Sequence, residues 1–277
     1  MANISASEVA KLRNVTGAGM MDCKTALTEA EGDFEKAVEI LRKKGQKVAN
    51  KRADRESKEG VVLATTSANN KIAYMISLNC ETDFVAKNDD FVKKAEKILS
   101  IAKETNAKDI NDLLSKKFDD KYTIEEEIFN LTGVIGEKIG LGTYSKIEAE
   151  TAGFYVHSDK KIATIVGFNK ENVSDEILKD VAMQATAMSP VSIDEKSVPQ
   201  SVIDKEIEIG KEIAINEGKN PEMAEKIARG KLTKFFKDNT LLNQDFIKDN
   251  KITVKEYLHS KDKELTVTDF VRFSLRD

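Results

Sequence analysis

Apolar positions at the start of the chain recur at helical spacing. Ser5 and Glu8 form Ser-x-x-Glu, a capping box that opens a helix carrying Val9, Leu12 and Val15. Gly17 and Gly19 interrupt it, and Asp22 is read as the cap of a second helix bearing Cys23, Ala26, Leu27 and Ala30. Gly32 ends that helix. Asp33 caps a third, with Phe34, Ala37, Val38 and Leu41 inward, and Gly45 is read as its stop. The spacing therefore predicts a three-helix module over 1–45, followed by a basic linker over 46–59.

The period then changes. Val61, Val62 and Leu63, then Ile72 through Ile76, read as two strands joined by Ser-Ala-Asn-Asn. A helix from about Asp89 places Phe91, Val92, Ala95, Ile98 and Leu99 on one face. The same order recurs: Gly153-Phe-Tyr and Lys161-Ile-Ala echo Gly60-Val-Val and Lys71-Ile-Ala, and a helix with Ile177, Leu178, Val181, Ala182, Ala185 and Met188 follows. Segments 139–147 and 265–275 supply a candidate third strand for each copy. The reading is an α+β fold. A duplicated core of small antiparallel sheets with helices has subdomains 60–150 and 151–277. A helical hairpin, 201–237, is inserted in the second, with apolar stripes Ile203, Ile207, Ile213, Ala214 and Met223, Ile227, Leu232, Phe235.

Composition narrows the function. The 277 residues hold 44 Lys and Arg against 48 Asp and Glu, a net charge of −4, which gives no general reason to expect nucleic-acid binding. The run 42–58 is the exception, with eight basic residues and two acidic ones, and reads as an exposed helix end and linker. Two cysteines, Cys23 and Cys80, make no disulfide framework or zinc site, and Cys80 at the end of an apolar strand reads as core. With no signal-peptide core at the N-terminus and no apolar run near the roughly 18 residues of a membrane helix, a reducing cytoplasmic setting and no membrane partner are expected. Gly17-x-Gly19 and Gly140-x-Gly142 lack the third glycine of a dinucleotide fingerprint, and no phosphate-binding Gly-Lys-Ser or Gly-Lys-Thr occurs. His157 and His259 have no nucleophile elbow to serve. No cofactor, metal site or catalytic group is expected, so the chain reads as a binding protein.

The segment Thr-Asp-Phe-Val-Ala-Lys-Asn at 82–88 sits between a strand and a helix. The residues alone leave two arrangements open: Thr82 or Asp83 capping a turn with Phe84 folded inward, or Phe84 standing out. That segment is similar to the signature of the elongation factor Ts family. So is Leu12-Arg13 with Thr-Gly-Ala-Gly-Met-Met-Asp-Cys-Lys at 16–24. The N-terminal helices resemble that family's ubiquitin-associated-like module, the duplicated unit its core, and the hairpin its protruding coiled coil.

The resemblance implies a guanine-nucleotide exchange factor that binds elongation factor Tu, acts on the partner's bound GDP and Mg²⁺, and carries no catalytic chemistry of its own. It implies that Asp83 and Phe84, flanked by Thr82 and Val85, intrude near the nucleotide. It further implies that Arg13, Met20 and Met21 meet the partner's GTPase domain and that His157 reaches it as well. Of the two methionines, one is expected inside the small bundle and one outside. Some family members continue into a C-terminal helical module, whereas this chain ends at Val-Arg272-Phe273-Ser-Leu-Arg-Asp277. Two other readings remain at this stage. One is an adaptor using the N-terminal bundle; the other is an RNA-binding protein using 42–58.

Overall fold

The computed structural model describes residues 4–277 and divides into two compact units. The first takes in the chain up to Leu63 with Ile76–Ser145 and Leu275–Asp277; the second takes in Ala64–Met75 and Lys146–Ser274.

The first unit opens with α1 (Ala6–Thr16), α2 (Met20–Glu29) and α3 (Phe34–Arg52) around Leu12, Cys23, Ala26, Leu27 and Ala37. The Ser5–Glu8 capping box and the Asp33 cap form as the sequence indicates. Two expectations fail. Gly19, not Asp22, occupies the N-cap of α2, and Asp22 instead pairs with Lys44 at 2.6 Å. Gly45 does not stop α3, which runs on to Arg52. Gly45 lies close to a second glycine: a Cβ there would lie 3.2 Å from the Gly133 Cα.

Strands β1 (Glu59–Thr66) and β2 (Ile72–Cys80) follow, then the single turn α4 (Asp83–Ala86) and α5 (Asp89–Thr105). The periodicity did not mark α6 (Ile110–Ser115) or α7 (Ile124–Ile135), although Thr123 and Glu126 make a capping box on α7. β3 (Gly140–Glu148) completes a sheet in the order β1-β2-β3. Gly60 sits at φ 146°, where a Cβ would be 2.3 Å from the Leu78 carbonyl oxygen, so the hairpin closes only over glycine.

The second unit carries β4 (Thr151–Val156), β5 (Ile162–Phe168) and α8 (Asp175–Met188), the second copy of strand, turn, strand, helix. The two hairpin turns are built alike. Ser67 N–H donates to the Ile72 carbonyl at 2.7 Å and His157 N–H to the Ile162 carbonyl at 2.9 Å. Asn70 and Lys160, fourth in each turn, both take positive φ, 52° and 56°.

The inserted hairpin is α9 (Gln200–Asn216) and α10 (Pro221–Asn239), joined through Gly218 at φ 84° and the Asn220 cap. Of the stripes expected, Ala214 lies in the seam and Ile203, Ile207, Ile227, Leu232 and Phe235 are half-buried, but the rest of the seam is different. Gly210, Ala214, Ala224 and Ala228 are buried between the helices, while Ile213 and Met223 are exposed. Small residues bring the backbones close, and the bulky ones are left on the flanks. Then come β6 (Asp245–Phe246), β7 (Asp249–Thr253), α11 (Val254–Lys261) and β8 (Val267–Ser274). The antiparallel sheet runs β4-β5-β8, with Phe168, Leu178, Val181, Phe246 and Leu258 in the core beneath it. Among the described residues no helix is long and apolar enough to cross a membrane.

Candidate functional site

The segment 80–88 is two capped helix starts in succession. Thr82 is extended at φ −124°, ψ 154°, and its hydroxyl accepts from the Val85 N–H, opening α4. Asn88 caps α5 by accepting from the Asp90 and Phe91 N–H groups at 2.9 and 3.3 Å. Between the caps only α4 remains, and its inward residue is Ala86. Two residues back along a helix is a rotation of about 200°, so the residue at 84 faces away from the core. Phe84 is accordingly 83% exposed, while Phe91 fills the interior at 2%. Of the two arrangements left open by the sequence, the outward ring is the one formed.

Asp83 sits at the N-terminus of this turn, where a negative charge is favourable, and accepts from the Lys87 ammonium at 2.6 Å. The same pairing raises the Lys87 pKa above its ordinary value. Both side chains are substantially exposed, so the pair adds little stability and can be exchanged for partner groups. Cys80 is buried. Desolvation, then the nearby Glu137 and Glu59 carboxylates, push its thiol up to about 12, which makes it an inert core residue as read from the sequence.

The turn is gripped from behind by groups that the sequence reading did not assign to it. The Glu137 carboxylate accepts three hydrogen bonds: from the Glu81 N–H at 3.2 Å, the Thr82 N–H at 3.0 Å and the Thr82 hydroxyl at 2.6 Å. The Glu81 carboxylate accepts from the Lys138 N–H at 2.7 Å and from Arg52 at 2.8 and 2.9 Å, with Arg55 at 3.4 Å. Burial raises the Glu81 pKa, but the Lys138 N–H and the two guanidiniums outweigh it and leave it below the ordinary value. Arg52 and Arg55 belong to the basic run that reads as an exposed helix end and linker. Their position in a cationic stretch hid a specific role, and Glu137 lay just past a helix that the periodicity did not mark.

The other candidate residues lie apart from this turn in the chain. Arg13 is exposed in the last turn of α1. Met20 and Met21 open α2, 53% and 71% exposed, so both are outside and neither fills the bundle. Ala18 and Cys23, on either side of them in the chain, are the buried members of that interior. Val15, 59% exposed, adds to the apolar surface of α1. In the second unit His157 begins the β4–β5 turn, its Nδ1 2.9 Å from the Asp159 carboxylate. Among the described residues no cluster of His, Cys, Asp and Glu is arranged to hold a metal.

The chain as a whole matches known sequences. A family model described as elongation factor TS matches residues 81–277. The chain is 51% identical over 276 residues to elongation factor Ts of Christiangramia forsetii, covering 99% of this chain and 100% of that protein. It is 49% identical to the Flavobacterium psychrophilum protein over 276 residues, with the same coverage. With elongation factor Ts of Clostridium acetobutylicum, the identity is 42% over 280 residues, covering 98% of this chain and 92% of the relative. The chain belongs to the elongation factor Ts family.

Proposed function

We propose that the protein accelerates GDP release from elongation factor Tu by pressing the Phe84 ring, with the Asp83 carboxylate beside it, against the elements that hold the nucleotide and its Mg²⁺. Membership of a translation elongation factor family supports the broad assignment. The observation that carries the finer reading is the ring itself, 83% exposed on a turn capped at both ends. A benzyl group held in water at a fixed position has no part in the chain's own core. It is suited to a pocket elsewhere, as buried aromatic anchors at interfaces commonly are. Packed elements move in discrete steps, so an inserted ring displaces a phosphate-binding segment rather than deforming it smoothly.

The surrounding residues fit this reading. Thr82 and Val85 frame the turn. Val15, Met20 and Met21, each exposed on the N-terminal helices, and the exposed Arg13 are available for a first contact with the GTPase domain, methionine being able to conform to a facing surface. His157, on the second unit, is available for a further contact. Coupling is reciprocal: a factor that binds the nucleotide-free partner more tightly than the GDP-bound one is itself weakened by GDP to the same degree, so it is released when nucleotide returns. The activity needs no resident cofactor and is expected in the cytoplasm.

Release of fluorescent GDP from elongation factor Tu tests the reading. Loss of a hot-spot aromatic costs about 2–4 kcal/mol, so Phe84→Ala should slow stimulated release roughly 30- to 1,000-fold. The unfolding midpoint should be unchanged, because surface substitutions typically fall within about 0.5 kcal/mol. Unimpaired exchange by a folded Phe84→Ala protein would remove the ring from the mechanism.

A further inference from the structure

Glu137, Glu81 and Arg52 form a relay of charged hydrogen bonds that ends at the backbone of the Phe84 turn. Glu137 follows α7 through Gly136, which takes the left-handed conformation at φ 78° and turns the chain. The segment beyond is tied down: the Ile139 N–H donates to the Thr132 hydroxyl at 3.1 Å, and that hydroxyl donates to the Ile128 carbonyl at 3.1 Å. The Glu137 carboxylate is thereby presented to the Glu81 and Thr82 amides from a fixed base. Those two amides immediately precede α4, and Thr82 is its N-cap. On the other side, Arg52 is the last residue of α3 and meets the Glu81 carboxylate, which is only 12% exposed.

We propose that Glu137 and Arg52 are positioning residues for Phe84, holding the backbone of 81–82 so that the ring projects in one direction. This proposal rests on the exchange function above. A short helical turn is marginal by itself, because nucleating one turn fixes several dihedrals for a single hydrogen bond. The hydroxyl cap on α4 is long, 3.5 Å from the Val85 nitrogen to the Thr82 oxygen. The three bonds accepted by Glu137 supply the order that α4 lacks.

Arg52 adds a second consequence. It stands at one end of α3, and the other end of α3 packs in the three-helix bundle with α1 and α2, which carry Arg13, Met20 and Met21. One helix therefore runs from the three-helix bundle to the carboxylate next to the wedge.

The test is a double-mutant cycle on fluorescent-GDP release by the full chain, with hydrogen exchange read at the amides of Glu81 and Thr82. If loss of the anchor leaves the ring in its working position a tenth of the time, exchange falls roughly tenfold. Glu137→Ala should therefore slow release by about that factor and strip protection from those two amides. Glu137→Gln, which keeps an acceptor for the backbone pair, should recover most of the rate. In a Phe84→Ala background, Glu137→Ala should have almost no further effect, since a positioning residue has nothing left to position. Arg52→Gln, at a side chain 30% exposed, should behave in the same way with a smaller loss and serves if Glu137→Ala fails to fold.

Effects that multiply in the double variant, or a folded Glu137→Ala protein with unimpaired exchange while Phe84→Ala is slow, overturn the positioning role alone. If Phe84→Ala itself exchanges normally, the wedge reading fails and this proposal falls with it.

Discussion

Gly133→Ala and Gly45→Ala should shift stability in opposite directions, although both add one methyl group to a helix. The two glycines face each other where α3 crosses α7. A Cβ built on Gly133 lies 2.5 Å from the Gly45 Cα, 2.8 Å from its carbonyl carbon and 2.9 Å from its oxygen. All three are backbone atoms and cannot rotate away, so the helices must part by about 1 Å to reach ordinary contact at 3.4 Å. A Cβ on Gly45 lies 3.2 Å from the Gly133 Cα and needs a few tenths of an ångström. Overpacking of the first kind costs about 1–3 kcal/mol. Replacing glycine by alanine in a helix interior returns about 0.8–1.0 kcal/mol, fully at Gly45 in mid-α3 and less at Gly133 in the last turn of α7. Gly45→Ala should therefore be neutral or stabilising by up to about 1 kcal/mol, and Gly133→Ala destabilising by about 1–2 kcal/mol. At about 2–4 °C per kcal/mol for chains of this size, thermal melts should separate the two variants by several degrees. Gly133→Ala should also slow exchange, because parting α3 from α7 draws Arg52 away from the segment that carries Glu137. Equal shifts for both variants, or a gain at Gly133, would refute the close helix crossing.

Two further outcomes follow from the electrostatics. Since the Cys80 thiol is pushed up to about 12, only roughly one molecule in 10,000 carries the thiolate at pH 8; iodoacetamide should leave Cys80 unmodified in the native chain and label it in urea, by peptide mass spectrometry. The Glu81 pKa is depressed in the fold, so its contribution is complete above the unfolded-state value and is lost as the pH falls through the lower folded-state value. The destabilisation caused by Arg52→Ala should accordingly be full at neutral pH and fade below the ordinary carboxylate range, read from unfolding midpoints of both proteins across pH; a difference that persists in acid would show that Arg52 acts by packing.

Much of the architecture was legible because it rests on local rules. The Ser5–Glu8 box, the Asp33 cap, the Asn220–Pro221 start of α10 and the doubled strand-turn-strand pattern are each written within a few adjacent residues. The failures share a different cause. Gly45 was read from its intrinsic tendency to end a helix, and the neighbour that overrides this tendency, Gly133, is 88 residues away in sequence. The expected hairpin stripes include Ala214 but otherwise favour large apolar residues, whereas Gly210, Ala224 and Ala228 complete the seam by letting the two helices approach closely. The expectation of one methionine inside and one outside sets a small apolar core against a partner-facing role, and the core takes Ala18 and Cys23 while both methionines stay out.

The site shows the same division more sharply. That Phe84 lies on a turn between a strand and a helix, with Thr82 or Asp83 as its cap, is visible in the sequence; the second cap, Asn88, six positions after Thr82, leaves space for only one turn between them. Which way the ring points is a matter of helical phase, and phase is set by which residue, Ala86, reaches the core. What holds the turn is not local at all: Glu137 is 55 residues from Thr82, and Arg52 is 29 from Glu81. An exposed aromatic ring on a short helix would ordinarily collapse onto the surface, since burying it is worth about 1.5–3 kcal/mol. Keeping it outward requires anchors that do not depend on the ring itself. Charged hydrogen bonds to the backbone meet that requirement, because they fix the turn whatever side chain stands at position 84. The wedge and its support can therefore be varied separately, and the two substitutions distinguish a ring that is missing from a ring that is misdirected.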